Sequence, residues 1–275
     1  MSTIKDALRT SQGSGNALPQ LNIAKRISLK EIGGEVVFSY YDKEIKENVE
    51  YPSPIVGILI GQAMEASSYS DNLGSKGGNY TSSYYFTNND TIALFAHTPK
   101  GYEVVHKGNM EAIEAYIKKE STGNLKKKQV LFILTAEGLI AVSTNLSIAI
   151  DQVRTNKEEL SEKYLVLTPM LFEYLGKFRQ KNPPKYAEIS TGKFISELDF
   201  DKWGAPKMIA EYKAWKEFKT KGGVEQPETS DQPKVNYSAP ANRMQPNKEA
   251  ENVFQKKNKQ HTTENASAPS DDLPF

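Results

Sequence analysis

The stretch Lys126-Lys127-Lys128-Gln129-Val130-Leu131-Phe132-Ile133-Leu134-Thr135-Ala136-Glu137-Gly138-Leu139-Ile140-Ala141-Val142-Ser143-Thr144 decides how the chain is read. Two apolar runs, 129–135 and 139–144, are rich in β-branched residues, and they flank Ala136-Glu137-Gly138, a turn whose glycine accepts backbone angles other residues avoid. The pattern predicts a β-hairpin, the clearest in the chain.

Upstream of this hairpin the pattern favours strands. Over 25–50, Val36, Phe38 and Tyr40 alternate with Val37, Ser39 and Tyr41, behind a Gly33-Gly34 turn. Residues 55–60 read as a buried strand or the start of a helix, and periodicity does not separate the two. Residues 67–79 read as a flexible loop leading into Tyr80 and Tyr84-Tyr85-Phe86. Two strands, 91–98 and 102–106, join through Pro99-Lys100-Gly101. Met110, Ile113 and Ile117 give a short amphipathic helix over 110–119.

Downstream, 146–153 reads as a helix and 164–167 as a strand. Thr168-Pro169 reads as a cap with proline at the first position of a helix running to 178. Residues 185–189 form a further strand. Met208, Tyr212, Trp215 and Lys219 share one row of a last helix over 206–219, stopped by Gly222-Gly223. About eight strands interleave with four or five short helices and no βαβ rhythm, which is α+β and compatible with an OB-like β-barrel core elaborated with short helices.

The chain has 275 residues, 38% of them hydrophobic, enough for a core. Lys plus Arg number 35 against 34 Asp plus Glu, so any affinity for a polyanion must come from a local concentration of charge. With no cysteine, disulfides, thiolate metal sites and thiol nucleophiles are excluded. The first thirty residues lack the apolar run of a signal peptide, and no stretch reaches the roughly 18 to 20 residues of a membrane span. The expectation is a cytoplasmic protein, in the host cytoplasm if phage-encoded.

The composition divides the chain into a flexible N-terminal arm, 1–20, a folded domain, 21–220, and a tail, 221–275. The tail holds Tyr237, Phe254 and Phe275 as its only aromatics, too little apolar surface to offset the entropy of ordering, so it reads as disordered. It ends in Ser270-Asp271-Asp272-Leu273-Pro274-Phe275. A terminal ring beside carboxylates, with a proline limiting the entropy lost on docking, has the form of a short peptide ligand. At these six residues the sequence resembles the bacterial single-stranded DNA-binding proteins, whose tails end in an acidic tip finishing in Pro-Phe. The resemblance does not extend to the body. It implies that Asp271, Asp272, Leu273, Pro274 and Phe275 capture replication, recombination and repair proteins, and that a phage or mobile-element protein is the nearer comparison.

Binding an unpaired strand needs cations that track phosphates and flat side chains on which bases stack. Aromatics beside basic or flexible stretches supply the candidates: Tyr41 near Lys43, Tyr84 and Phe86 after the loop holding Lys76, Tyr102 beside Lys100, and Tyr186 after Lys181. In each adjacent pair of rings on a strand, one faces the core and one faces out. Trp203 lies outside the last helix. Lys126, Lys127 and Lys128 read as a phosphate-tracking patch or a solubilising cap on an apolar strand. Lys25 with Arg26, and Arg179 with Lys181, are further basic candidates.

Enzyme signals are weak. Gly74-Ser75-Lys76-Gly77-Gly78 has the wrong spacing for a phosphate-binding loop, and the histidines form no zinc pattern. Glu197, Asp199 and Asp201 would share one face of an extended strand and could hold Mg²⁺, or open a helix. The resulting expectation is a non-catalytic, cofactor-free protein that coats single-stranded DNA; a strand-annealing recombinase and a metal-dependent nuclease are the alternatives.

Overall fold

The structure is a computed structural model that describes residues 19–42, 44–73, 77–98, 101–171 and 185–223. The strands among them are β1 (Lys25–Ile32), β2 (Glu35–Asp42), β3 (Glu47–Tyr51), β4 (Ile55–Ser70), β5 (Gly78–Ser82), β6 (Ile92–Thr98), β7 (Gly101–Gly108), β8 (Lys126–Thr135), β9 (Gly138–Asn145), β10 (Lys163–Leu171) and β11 (Lys185–Phe194). The helices are α1 (Met110–Glu120), α2 (Leu146–Thr155), α3 (Glu197–Lys202) and α4 (Ala205–Thr220), with a 3-10 turn at Glu159–Ser161. The coarse expectation of a mixed α+β fold holds, dominated by one large open sheet.

That sheet runs in the order β3-β2-β1-β9-β8-β4-β5-β6-β7, with β10 and β11 branching from β4. At its centre is the hairpin β8–β9, in register from Lys128 opposite Asn145 to Thr135 opposite Gly138. Gly138, at φ +117°, takes the turn conformation closed to other residues. Both faces of β8 are covered, which explains its unbroken apolar run. Val130, Phe132 and Leu134 pack with Ile209, Tyr212 and Trp215 of α4. On the other face Leu131 and Ile133 meet Ile27, Phe38, Leu165 and Leu167. A third cluster forms where Met110, Ile113 and Ile117 of α1 bury Tyr80, Ile92 and Leu94. Asn109 starts that helix, its Oδ1 accepting from the Ala112 N–H at 3.0 Å.

Strand β4 is 16 residues long, so residues 55–60 belong to a strand and not to a helix. It pairs with β8 along one edge. On the other edge it pairs with β10 over 55–57 and with β5 over 67–70. The expected loop over 67–79 is therefore shorter: cross-strand pairing claims Ser67 to Ser70 for β4 and Gly78 with Asn79 for β5.

The helix expected from Thr168-Pro169 does not start there. Thr168 lies opposite Glu188 and Pro169 opposite Ala187 in the β10–β11 ladder. Beyond Leu167 the strand pairs with β11 alone, and a residue without an N–H is accommodated on the free edge; the remainder of that expected helix lies outside the described residues. Glu197, Asp199 and Asp201 lie on α3, not on a strand, so a spacing of two no longer puts them on one face. The helix forms because Ser196 caps it, its Oγ accepting from the Asp199 N–H at 3.1 Å. No described helix is long and apolar enough to cross a membrane.

Candidate nucleic-acid interface

Alternate residues on a strand point to opposite faces, so the registers fix which side chains share the face of the sheet against which α4 packs. Ser39 of β2 lies opposite Ser28 of β1, Ser28 opposite Ser143 of β9, Ser143 opposite Val130 of β8, and Val130 opposite Ala63 of β4. This row crosses five strands; its β8–β4 end, Val130 and Ala63, is buried in the core with α4, which leaves Ser39, Ser28 and Ser143 as its hydroxyl-bearing floor. Ser39 is buried in it, its Oγ without a hydrogen-bond partner among the described residues.

The next residues on the same face flank this row, Ala141 and Phe132 among them being buried in the core. Two residues along each strand on one side stand Tyr41, Arg26, Ala141 and Phe132; on the other stand Val37, Lys30, Asn145, Lys128 and Glu65. Tyr41 is 56% exposed and Arg26 is exposed, while Lys30 and Lys128 are half-buried. Lys126, one step further along β8, is exposed opposite Ser67. This serine row, the groove, has Arg26 on one side, Lys30 and Lys128 on the other, and the exposed ring of Tyr41 at its margin.

Tyr84 closes the groove where it meets the core. Its ring meets Phe132 edge-on at 5.4 Å and Trp215 at 6.0 Å, and its hydroxyl accepts from Arg26 Nη1 at 2.9 Å. This corrects the reading of Tyr84 as a stacking platform: at 5% exposure the ring is part of the core, and its role here is to brace Arg26. Phe86 is likewise half-buried, 5.4 Å from Trp215, with Lys216 Nζ 5.1 Å from its ring centroid.

The lysine triplet divides. Lys126 and Lys128 face the groove, whereas Lys127 points to the opposite side and pairs with Glu114 of α1 at 2.7 Å. Lys25, adjacent to Arg26, also points away from the groove. It pairs with Glu137 at 3.2 Å and lies 5.1 and 5.3 Å from the ring centroids of Tyr40 and Tyr51. The hydrogen bond to Glu137 raises its pKa. Neither Lys25 nor Lys127 joins the groove, as the alternation of strand faces requires.

The other candidates are dispersed. Tyr102 is 55% exposed on β7, at the far edge of the sheet, with its ring 4.2 Å from His97. Tyr186 is half-buried on β11. Trp203 is half-buried against Tyr164, 5.5 Å between centroids. Lys76, Arg179, Lys181 and the tip residues Asp271, Asp272, Leu273, Pro274 and Phe275 lie outside the described residues.

Sequence reading missed Ser28, Ser39, Ser143, Lys30 and Glu65. A signal was present at two of the serines, since Ser28 sits between Ile27 and Leu29 and Ser39 between Phe38 and Tyr40, neighbours that pack into the core, whereas Ser143 sits between Val142 and Thr144. Glu65 is half-buried, opposite Lys128. Burial is the largest influence on its carboxyl and raises its pKa against the opposing pull of Lys128, Arg26 and a hydrogen bond with Ser143. No protein-family model, curated protein or solved structure matches this chain.

Proposed function

We propose that the chain is a non-catalytic single-stranded DNA-binding protein that holds the strand across the serine-floored groove. The observation that carries this reading is the registration of Arg26, Lys30 and Lys128 around one row of small residues, with Tyr41 exposed at the margin. With a net charge of only +1, the chain has no general attraction for polyanions, and a local cluster is what phosphate binding requires. An unpaired strand crossing the sheet sets phosphates against the flanking cations and a base on Tyr41, a stack worth about 1 to 3 kcal/mol. The half-buried Ser28 and Ser143 admit bases and sugars without demanding a sequence.

The finer fold assignment, an OB-like barrel, belongs to the same proposal. In its support, Leu165 and Leu167 of β10 and Ile189 of β11 share a core with Ile27 and Phe38 of β1 and β2. Lys185 of β11 pairs with Glu31 of β1 at 3.2 Å, so β11 packs back towards the first strands. Sheets of that kind present one face to oligonucleotides.

Partner capture by Asp271, Asp272, Leu273, Pro274 and Phe275 completes the proposal and rests on the resemblance of the tip. The decisive experiment titrates the full chain with single-stranded and duplex oligonucleotides at two salt concentrations, following intrinsic fluorescence. Quenching, preference for the unpaired strand and weakening with salt are expected; indifference to single strands at low salt would refute the reading. Deleting residues 271–275 should preserve DNA affinity while removing partner capture.

A further inference from the structure

A carboxylate among phosphate-binding cations works against the function just proposed, so the placement of Glu65 calls for a cause. It lies on the groove face directly opposite Lys128, within electrostatic reach of Arg26, and is hydrogen-bonded with Ser143 of the floor. Arg26 is in turn braced by the Tyr84 hydroxyl at 2.9 Å. The charge of Glu65 also reaches Tyr85, whose phenol is pushed up to about 12 chiefly by burial, then by Glu114 and Glu65. The groups acting on Glu65 come from three strands: Lys128 on β8, Arg26 on β1 and Ser143 on β9.

We propose that Glu65 is the internal counter-ion of the groove, holding Arg26 and Lys128 in place while it is empty and giving them up to a phosphodiester, with a proton taken up at Glu65 as DNA binds. The inference rests on the DNA-binding reading. Its physical basis is competition. Two cations cannot fully neutralise both a half-buried carboxylate and an arriving phosphate, and the two anions repel. Protonation of the carboxyl removes that repulsion, and burial already favours the neutral form. By linkage, whatever favours the neutral carboxyl favours DNA, and DNA favours the neutral carboxyl by the same factor.

The test uses full-length protein and a fluorescent oligothymidylate, with affinity measured by anisotropy from pH 5.5 to 8 at fixed ionic strength. Wild type should tighten as pH falls, within the roughly 5- to 150-fold range of such couplings. Glu65→Gln should bind more tightly than wild type at pH 8 and lose that part of the pH dependence. In wild type, the Glu65 side-chain carboxyl ¹³C resonance should titrate at a higher pH once the oligonucleotide is bound, a measurement that needs no variant. Equal affinities and pH profiles for the two proteins, or a carboxyl midpoint unmoved by DNA, would overturn the counter-ion role alone. Failure of both proteins to bind would overturn the DNA-binding reading and this inference with it.

Discussion

The hydroxyl of Tyr212 accepts a hydrogen bond from the Gln62 N–H at 3.0 Å and donates one to the Gln62 carbonyl at 2.8 Å. Gln62 lies on β4 between the segment paired with β10 and the segment paired with β5. One side chain of α4 thus supplies both the acceptor and the donor that a neighbouring strand would have given. The same side chain lies 5.7 Å from Phe132 between ring centroids, so the contact fixes α4 over β8.

Tyr212→Phe should unfold at lower denaturant concentration, because two sheltered backbone groups lose their partner at about 1 to 3 kcal/mol each. Burial pushes the Tyr212 phenol up to about 12, outweighing the opposing hydrogen bond with Gln62. A pKa raised in the folded state gives stability that is complete below the unfolded value near 10 and is lost as pH rises towards 12. Denaturant melts from pH 9 to 12 should therefore show a smaller alkaline loss in Tyr212→Phe than in wild type.

Gly61→Ala should destabilise the same junction. A Cβ at Gly61 would stand 2.1 Å from Tyr212 Cζ and 2.5 Å from its hydroxyl, so the ring must move. Overpacking of this kind costs roughly 1 to 3 kcal/mol. Thermal melts should show the loss, and amide exchange should quicken around Gln62.

The lysine triplet supplies a contrast built into one strand. Replacing both Lys126 and Lys128 by Ala should weaken single-strand binding and flatten its salt slope by about 1.4, from roughly 0.7 per phosphate contact. Lys127→Ala should leave both quantities unchanged, since its ammonium is engaged with Glu114 on the other side. Equal losses in the two proteins would place DNA elsewhere.

Tyr41→Ala should reduce oligonucleotide affinity by the worth of one stack, about 1 to 3 kcal/mol, with little change in the melting temperature of an exposed residue. Tyr84→Phe should instead act through Arg26, weakening DNA binding without removing a stacking surface, because its ring is enclosed by Phe132 and Trp215. Quenching amplitudes separate the two: Tyr41→Ala changes them and Tyr84→Phe preserves them.

Local chemistry alone fixed several features. The glycine turn of β8–β9, the alternation in β2 and the row Met208, Tyr212, Trp215 of α4 each depend on neighbours within a few residues, and they were legible. Pro169 misled because its local preference was overruled when β11 recruited it into a ladder; of the two readings of the acidic run at Glu197, the local Ser196 cap selects the helix. The groove was not legible, because it depends on β1 lying parallel beside β9 and on β8 lying beside β4. Alternation tells each strand which residues share a face, but only long-range pairing decides which strands stand side by side. That is why Ser28, Ser39 and Ser143 read as unremarkable singly and form one floor when folded.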